Sequence, residues 1–429
     1  MQGQALPGFR DFYPGDAALR NQIFGVWRDV AARYGFEEYD GPPLEPLELY
    51  TEKSGDEIVG QLYEFEDKGG RRVALRPEMT PTLARMVAAR APALKKPIRW
   101  FSMPQLFRYE RQQRGRLREH FQLNMDLIGE PGPLADAEIA AAAVDVVRTL
   151  GFGPEVVRLR ISDRRVVAGL LGHAGVPDGM LSLAYGAIDK IERDPPGVLA
   201  DRLVAGGLSA AIADRVLAVG RLRGQDALDA ALAEVPDGAD IAEDLSACVG
   251  ALADMGLGGF VDLDLSIVRG LAYYTGVVFE LFDAGRSLRA ICGGGRYDGL
   301  LRALGGVDLP AVGFGMGDVV LGELITGAAP AGARAAPLDA FLVAVGSDDV
   351  SHVLALAHRL RDAGRRVEYA LKAQGLGKQL KLAAARGARR AVIVGPDERA
   401  RGEVVVRDLT DGGEQQIAVE RIEDALANV

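Results

Sequence analysis

The segment from residue 107 to residue 126, FRYERQQRGRLREHFQLNMD, concentrates arginines, carboxylates and amides in a short stretch. If it forms a strand, a charged loop and a returning strand, Arg108 and Glu110 share one face, and Gln122 and Asp126 share a face of the return. Guanidinium groups bind phosphate oxygens through two parallel hydrogen bonds, so this composition suits a polyphosphate. The alternative is a solvated, salt-bridged hairpin, because charge runs usually lie on the surface.

A carboxylate and a hydroxyl stand close together in LRPEMT, residues 75–80, where a predicted strand gives way to a predicted helix. Glu78 and Thr80 would be able to hold an ammonium group at this junction. The alternative is a simple helix N-terminus, at which Glu78 interacts favourably with the helix dipole.

A third candidate is VRGLAYYTG, residues 268–276, in which Arg269 stands among apolar and aromatic residues. Such an arginine is predicted to be partly buried, and a buried guanidinium needs anionic partners. Tyr273 and Tyr274 point to opposite faces if the segment is a strand. The alternative is a structural arginine that is capped by carbonyl groups.

Three consecutive glycines occur in CGGGRYD, residues 292–298. Glycines allow a backbone to approach a ligand closely. The pattern is neither a dinucleotide-binding fingerprint nor a P-loop. The alternative is a tight turn or a bulge.

The composition argues against several classes of protein. A net charge of −10 disfavours a protein that coats nucleic acid with its whole surface, but it leaves a local basic face open. No stretch has the roughly 18 uncharged apolar residues that a membrane helix needs. Cys248 and Cys292 give no disulfide framework or zinc spacing. The four histidines are not spaced as a metal pair, so we predict no metal site made of side chains. A reducing, cytoplasmic location fits best.

These residues need structural elements to position them, and 429 residues exceed one compact core. Apolar residues at helical spacing predict a helix that Asp16 can cap and that Gly35 ends. Residues 61–76 are predicted as strand, turn and strand, with the turn at 67–70. Residues 156–258 are predicted as an inserted helical module.

The pattern changes after a stretch rich in Ala, Gly and Pro, predicted as a linker at 326–337. Three apolar strands then alternate with amphipathic helices, which predicts a small α/β domain with a largely parallel sheet. Clustered cations in this domain suit nucleic-acid phosphates, and the alternative is a solvated helix face. They are Lys372, Lys378, Lys381, Arg386, Arg389 and Arg390.

Taken in order along the chain, these motifs resemble histidyl-tRNA synthetase, a family of class II aminoacyl-tRNA synthetases. GFRDFYPG with YGFEEYDGPPLE resembles motif 1, and FRYE followed by RGRLREHFQLNMDLIG resembles motif 2. SIVRGLAYYTG and CGGGRYDGLL resemble the two histidine-specific signatures. AVGFGMGDVVLGEL lies where motif 3 belongs, and GLGKQLKLAAARGARRAVIVG resembles part of the anticodon-binding domain.

The resemblance implies an α+β fold, with the class II antiparallel sheet flanked by helices. It implies a catalytic domain at 1–325 with a helical insertion at 156–258, a linker at 326–337 and an α/β anticodon-binding domain at 338–429. It implies ATP with bound Mg²⁺ as cofactors. The implied partners are L-histidine, ATP, tRNA(His) and a second copy in a homodimer, and no membrane.

Matching positions carry the family's roles onto this chain. Arg108 and Arg269 are the expected catalytic residues. The expected histidine-binding residues are Glu78, Thr80, Arg108, Gln122, Asp126, Arg269, Tyr273 and Tyr274. The expected ATP-binding residues are Arg108, Glu110, Arg116 and His120. His120 departs from the family's pattern, because it stands where the family usually has an adenine-stacking phenylalanine. The expected tRNA-binding residues are Lys372, Lys378, Lys381, Arg389 and Arg390.

The implied reaction joins L-histidine to ATP as histidyl-adenylate, releases pyrophosphate, and passes histidine to the 3′ end of its tRNA. The family's motif 3 carries an arginine that contacts ATP where this chain has Val320. Arg118 and Arg296 are candidates to replace it.

Three alternatives remain at this stage. The first is a non-catalytic, histidine-sensing paralogue, such as a regulatory subunit of ATP phosphoribosyltransferase. Val320 is the feature that favours it. The second is a class II synthetase for another amino acid, such as a threonyl or prolyl enzyme, which the two histidine signatures disfavour. The third is a structural or interaction protein, which leaves every charged cluster unexplained.

Overall fold

The structure is a computed structural model that describes residues 3, 5–51, 59–111, 113–269, 273–328 and 338–427. Residues 329–337 of the predicted linker, and Gly270, Leu271 and Ala272 of the third motif, lie outside these ranges. The chain divides into two compact units, Met1–Gly332 and Ala333–Val429.

The first unit is mixed in secondary structure. Its strands are β1 (Glu37–Glu38), β2 (Leu44–Pro46), β3 (Tyr63–Glu66), β4 (Arg72–Leu75), β5 (Ile98–Ser102), β6 (Gln105–Phe107), β7 (Glu119–Ile128), β8 (Val157–Asp163), β9 (Val261–Leu263), β10 (Val277–Asp283), β11 (Cys292–Arg296) and β12 (Ala311–Gly317). Its helices are α1 (Pro14–Arg33), α2 (Glu48–Thr51), α3 (Thr80–Arg90), α4 (Pro133–Thr149), α5 (Arg164–His173), α6 (Leu181–Ile188), α7 (Pro196–Ala205), α8 (Ala210–Val219), α9 (Gln225–Leu232), α10 (Gly238–Ile241), α11 (Glu243–Asp254), α12 (Leu300–Gly305) and α13 (Asp318–Ala328).

A large sheet organises this unit. Within the described residues its strand order is β1-β5-β7-β12-β11-β10-β8-β9, and β6 pairs with β7 beside this path. The pairs from β5 to β8 are antiparallel, whereas the two edge pairs, β1–β5 and β8–β9, are parallel. The sheet and its flanking helices confirm the predicted fold class. The strands β2, β4 and β3 form a separate small sheet.

Helix α4 lies against the core side of the large sheet. Its sequence is rich in alanine, and Ala137, Ala140 and Ala143 are completely buried. Small side chains let a helix approach a sheet closely, so alanine here favours tight packing. The same helix carries Asp136, which forms a buried ion pair with Arg296 of β11. This pair connects the helix layer to the glycine-rich strand.

Two local predictions differ from the structure. Helix α1 begins at Pro14 rather than after Asp16, because proline is well suited to a first helical position that needs no N–H. Asp16 lies in the first turn, and Gly35 follows the helix end with a φ of 73°. The segment predicted as an inserted helical module starts with a strand, β8, which pairs with β10 along its whole length. The helices of this module follow β8, from Arg164 to Asp254.

The second unit contains a five-stranded sheet within the described residues. Its strands are β13 (Ala340–Ala344), β14 (Val367–Tyr369), β15 (Arg390–Val394), β16 (Glu403–Asp408) and β17 (Glu414–Ala418), and its helices are α14 (Val350–Asp362), α15 (Leu376–Ala385), α16 (Pro396–Arg401) and α17 (Ile422–Ala427). The order is β14-β13-β15-β16-β17.

The predicted α/β character of the second unit is correct, but the sheet is only partly parallel. β14, β13 and β15 are parallel, whereas β15–β16 and β16–β17 are antiparallel. For β16 and β17 the reason is the short return between them, which passes through Gly412 at a φ of 80°. Parallel neighbours would need a longer crossover. No helix among the described residues has the length and hydropathy to cross a membrane.

Candidate active site

A cleft lies over β7, β12 and β11, with about 530 Å³ of space including its open mouth. It brings together all eight residues of the expected histidine-binding set. Those residues are Glu78, Thr80, Arg108, Gln122, Asp126, Arg269, Tyr273 and Tyr274. Asn124, Tyr297 and several glycines complete the lining.

Strand β7 supplies the polar floor of this cleft. Gln122, Asn124 and Asp126 follow one another at intervals of two and therefore share a face. Leu123 and Met125 alternate with them and are completely buried in the core. The alternation in the sequence thus predicts the shared face of Gln122 and Asp126 correctly, and it could also have found Asn124.

Strand β12 runs antiparallel to β7 and carries glycine where β7 carries these side chains. Gly313 is the register partner of Asp126, and a Cβ atom there would lie 2.2 Å from the Asp126 Oδ1 atom. A Cβ atom on Gly315 would lie 2.8 Å from the carboxamide carbon of Gln122. The two glycines therefore make room for the polar side chains. The alternating glycines in AVGFGMG are the feature of the sequence that indicates this room for side chains.

Asp126 is buried and accepts a hydrogen bond from the Tyr297 hydroxyl group. Burial raises the pKa of Asp126 to about 7, although the bond from Tyr297 acts in the opposite direction. Near neutral pH this carboxyl group is therefore protonated more easily than an ordinary aspartate.

Arg269 enters the cleft from the segment before β10. Its backbone has a φ of 53°, which is uncommon for a residue with a side chain. The Arg269 Nη1 atom donates to the Glu280 carboxylate at 2.9 Å. A Cβ atom on Gly293 of β11 would lie only 1.4 Å from the same nitrogen. Glycine at position 293 is thus required for the arginine to lie across β11.

The charge of Arg269 is maintained despite its burial. Desolvation opposes the charged form, but the pKa of Arg269 is raised because Tyr274 and Glu280 favour the cation. Burial raises the pKa of Glu280, and the nearby guanidinium group acts against that shift. The Arg269 Nε atom is buried and has no hydrogen-bond partner among the residues that the structure describes. The sequence predicted an anionic partner for Arg269, and the structure shows that this partner is Glu280.

The paired tyrosines do not point to opposite faces. Tyr273 and Tyr274 lie outside regular strand structure, and both line the cleft. Their ring centroids are 4.9 Å apart, with an angle of 47° between the planes. The expectation from strand alternation is wrong here because the segment turns before β10 begins.

Glu78 and Thr80 stand at the N-terminus of α3, as predicted. The N-cap position is occupied by Met79, which makes no side-chain capping bond, and Glu78 is buried at the cleft. Glu78 therefore lies both next to the helix N-terminus and on the cleft. The Arg108 Nε atom donates to the carbonyl oxygen of Pro77 at 2.9 Å, which holds the helix start against the basic hairpin.

The hairpin forms the outer wall of the site, through the antiparallel pair β6–β7. Glu110 is buried and forms an ion pair with Arg116, while the Arg108 Nη1 atom lies 4.0 Å from a Glu110 oxygen. Burial, together with the charges of Arg108, Arg10 and Arg116, lowers the pKa of His120 to about 3. His120 is thus a neutral ring at neutral pH.

A network around Arg10 was not predicted. The Arg10 Nε atom lies 2.6 Å from the Glu119 carboxylate, and its Nη1 atom lies 2.9 Å from Asp318. Asp318 also accepts a hydrogen bond from the backbone N–H of Phe121 at 2.9 Å. This network joins the N-terminal segment, β7 and the start of α13.

The two arginines that were candidates to replace a motif 3 arginine have other partners. The Arg296 side chain is 4% exposed and is paired with Asp136 behind the sheet. The Arg118 guanidinium group lies 4.1 Å from the centre of the Tyr109 ring and donates to the Glu110 carbonyl oxygen. Val320 is buried in α13. Neither arginine lines the cleft.

The basic residues of the second unit are not one cluster. Lys372 and Lys378 lie where β14 ends and α15 begins, and Lys381 is exposed one turn further on. Arg389 and Arg390 lie at the start of β15, beyond the other end of α15, which is about 15 Å long. Arg390 donates to the carbonyl oxygen of Ala425. The neighbouring Arg386 is paired with Glu368.

The mainly antiparallel sheet, the basic hairpin on its open face and the separate α/β unit are those of a class II aminoacyl-tRNA synthetase, as the family models and relatives show. A family model described as histidyl-tRNA synthetase matches residues 8–317, and one described as anticodon binding domain matches residues 339–428. The chain belongs to the histidyl-tRNA synthetase family, so the resemblance noted from its motifs is confirmed.

Relatives of known name agree with this membership. A histidine–tRNA ligase of Opitutus terrae is 46% identical over 98% of this chain and 97% of its own length. A chloroplastic/mitochondrial histidine–tRNA ligase of Arabidopsis thaliana is 40% identical over 97% of this chain and 85% of its own length. The histidyl-tRNA synthetase structure from Nostoc sp. PCC 7120 is 24% identical, covers 100% of this chain and 99% of its own, and superposes with a TM-score of 0.87. It supports the fold.

Proposed function

We propose that this chain is a histidine–tRNA ligase. It activates L-histidine with ATP to histidyl-adenylate and pyrophosphate, and it then transfers histidine to the 3′ end of tRNA(His). The observation that carries the proposal is the cleft, in which the eight expected histidine-binding residues converge on one open space. The relatives named histidine–tRNA ligase, at up to 46% identity over nearly the whole chain, give it independent support.

In this proposal the inner cleft recognises the amino acid. Glu78 and Thr80 hold the α-ammonium group. Asp126 faces the imidazole ring, and because Tyr297 donates to its Oδ1 atom, its second oxygen is left to accept an imidazole N–H. Gln122, Tyr273 and Tyr274 enclose the ring. A cleft with such polar groups rejects analogues that cannot hydrogen-bond, because those groups would be buried without partners.

Arg108 and Arg269 act in the activation step. A carboxylate oxygen of histidine attacks the α-phosphorus of ATP, a new P–O bond forms, and the bond to the pyrophosphate oxygen breaks. Both reactants are negative, so two positioned guanidinium groups reduce their repulsion and stabilise the charge of the transition state. Glu280 orients Arg269 through the 2.9 Å contact. A protein base is not needed, since the carboxylate is already ionised at neutral pH.

The outer wall receives ATP. Arg116 contacts the outer phosphates, and neutral His120 lies against the adenine. Mg²⁺ arrives with ATP, and the buried carboxylate of Glu110 on this wall has the hard oxygen donors that Mg²⁺ prefers. The ion would stabilise the negative charge on the phosphates.

We further propose that the enzyme acts as a homodimer in the cytoplasm. We keep residues 1–325 as the catalytic domain, with its insertion near 156–258, 326–337 as linker and 338–429 as the anticodon-binding domain. The family models over 8–317 and 339–428 support this division. Lys372, Lys378 and Lys381 are the stronger candidates for contacts with tRNA phosphates, because they are exposed and near one another. Arg389 and Arg390 would serve a separate contact.

The test is amino-acid-dependent exchange of pyrophosphate into ATP by purified protein. We expect exchange with histidine and none above background with proline, threonine or histidinol, which lacks the carboxylate. Charging of tRNA(His) transcripts should follow. A structural neighbour, titled as an ATP phosphoribosyltransferase regulatory subunit/histidyl-tRNA synthetase from Bacillus halodurans C, has a TM-score of 0.77 at 21% identity. Folded protein that binds histidine without exchange would therefore favour the regulatory alternative.

A further inference from the structure

Arg289 lies beside the tip of the basic hairpin, although the two are far apart in sequence. It belongs to the loop between β10 and β11 and is exposed. A Cβ atom on Gly115 would lie 3.3 Å from the Val320 Cγ2 atom and 3.6 Å from the Arg289 Cδ atom. The Arg289 guanidinium group also donates to the side-chain oxygen of Gln113. The hairpin tip, the start of α13 and this loop therefore meet at one place.

This meeting point concentrates positive charge. Arg289 loses part of its hydration there, and the charges of Arg116 and then Arg193 repel its own, so all three effects lower the pKa of Arg289. Arg116 has the Glu110 carboxylate as its partner. Among the described residues, by contrast, Arg289 has no carboxylate within ion-pair distance.

The neutral partner of Arg289 is weak compared with an anion. A phosphate oxygen adds charge–charge attraction, and a phosphate can accept two parallel guanidinium hydrogen bonds, so it would compete well with the neutral Gln113 amide. The buried side chain of Val320 contributes no charge here. Arg289 thus lies beside the same hairpin glycine as Val320, and its partner Gln113 is neutral, so it can turn toward an anionic ligand on this wall.

We propose that Arg289 binds the outer phosphates of ATP beside Arg116. This inference rests on the proposed function, since it assigns a further residue to the same ATP site. Gly115, at a φ of 71° and without a side chain, keeps the approach between the hairpin and Arg289 close. Arg289 therefore serves the role for which Arg118 and Arg296 were considered.

The test compares ATP and AMP binding by calorimetry in wild type, Arg289→Ala and Arg289→Lys. The matched control is Arg286→Ala, which removes the same charge from the same loop but from a side chain paired with Glu192. We expect Arg289→Ala to weaken ATP binding about tenfold and to leave AMP binding unchanged. Arg289→Lys should recover part of the loss, and Arg286→Ala should bind both nucleotides as wild type does.

Exchange kinetics supply a second readout. The KM for ATP should rise about tenfold in Arg289→Ala while the KM for histidine stays constant. Equal loss of ATP and AMP binding would overturn the inference, because it would indicate a general distortion. Unchanged ATP binding with slower tRNA charging would also overturn it and would assign Arg289 to the tRNA. If wild type binds ATP but shows no exchange, the proposed ligase function fails, while the binding comparison still decides the role of Arg289.

Discussion

The inner cleft and the outer wall of the active site are built in different ways. In the cleft, polar side chains stand on paired strands, and Gly313 and Gly315 lie where a Cβ atom would collide with Asp126 and Gln122. On the outer wall, arginines stand on loops, and the Arg116 side chain is 38% exposed. The cleft therefore constrains shape, whereas the wall mainly supplies charge.

This difference predicts which half of the active site tolerates substitutions better. A small, polar amino acid requires fixed hydrogen-bond partners, and the strands provide them at fixed positions. A polyphosphate requires cations within reach, and several loops can supply one. Val320 in place of a motif 3 arginine therefore belongs to the more tolerant half of the site. Substitutions in the cleft should cost more than substitutions on the wall.

The largest expected effect belongs to Arg269, which lines the cleft and would touch the proposed reacting groups. Arg269→Ala should lower kcat for histidine-dependent exchange about 1,000-fold, because it removes a positioned cation at the developing charge. Steady-state exchange kinetics measure this loss. Arg302→Ala, which breaks only an exposed pair with Asp308, is the control. A loss below tenfold in folded protein would contradict the catalytic assignment.

The next effect tests the shape of the cleft through two glycines on the same strand. Gly313→Ala places a Cβ atom 2.2 Å from the Asp126 Oδ1 atom and 2.7 Å from the Met125 backbone oxygen, so the strands or Asp126 must move. We expect kcat/KM for histidine to fall about 100-fold.

Gly317→Ala on the same strand is the matched control, because no atom lies within 4 Å of its Cβ position. It should behave as wild type in the same exchange assay. Equal activity of the two variants would mean that the cleft adapts its shape, and the contrast with the outer wall would be lost.

A smaller effect is expected at Asp126, where substitution should weaken histidine binding but increase the stability of the fold. The pKa of Asp126 is about 7 in the folded protein, above its ordinary value of 3.8. As the pH rises from about 4 to 7, the unfolded chain ionises first, so the burial of this carboxyl group costs stability that is absent at low pH. The difference between the two pKa values corresponds to at most about 4 kcal/mol of lost stability.

Asp126→Asn removes this cost while it keeps an oxygen for the Tyr297 hydroxyl group. It should raise the free energy of unfolding relative to wild type by more at pH 8 than at pH 4, and it should weaken histidine binding about tenfold. Urea unfolding at both pH values measures the difference, and the packing effect of the substitution cancels between them. A pH-independent difference would show that the buried carboxyl group carries no such cost.

The sequence predicted the residues of a single strand better than it predicted contacts between strands. Alternation along β7 correctly placed Gln122 and Asp126 on one face. The fit of Arg269 across Gly293 was not predicted, because it is a contact between segments that are distant in sequence. Arg289 was missed for the same reason, since its partner Gln113 is 176 positions away. The sequence predicted one basic patch in the second unit, but the lysines lie near the start of α15 and Arg389 and Arg390 lie beyond its end.

The smallest expected effect tests the outer wall with two arginines on one hairpin tip. Arg116→Gln should raise the KM for ATP about tenfold, because a charged hydrogen-bond donor to the phosphates is lost. The KM for histidine should change little, since the strands of the cleft are untouched. Exchange kinetics at varied ATP and varied histidine separate the two constants.

Arg114→Gln is the matched control, because Arg114 is more exposed and pairs with Glu323 on α13. It removes the same charge two residues away and should leave both constants near those of wild type. If Arg114→Gln raised the KM for ATP as much as Arg116→Gln, the wall would act through its total charge rather than through particular contacts. If Arg116→Gln instead raised the KM for histidine, the cleft and the wall would be one coupled site. A charge on a loop of the wall would then influence the shape of the pocket that the strands form.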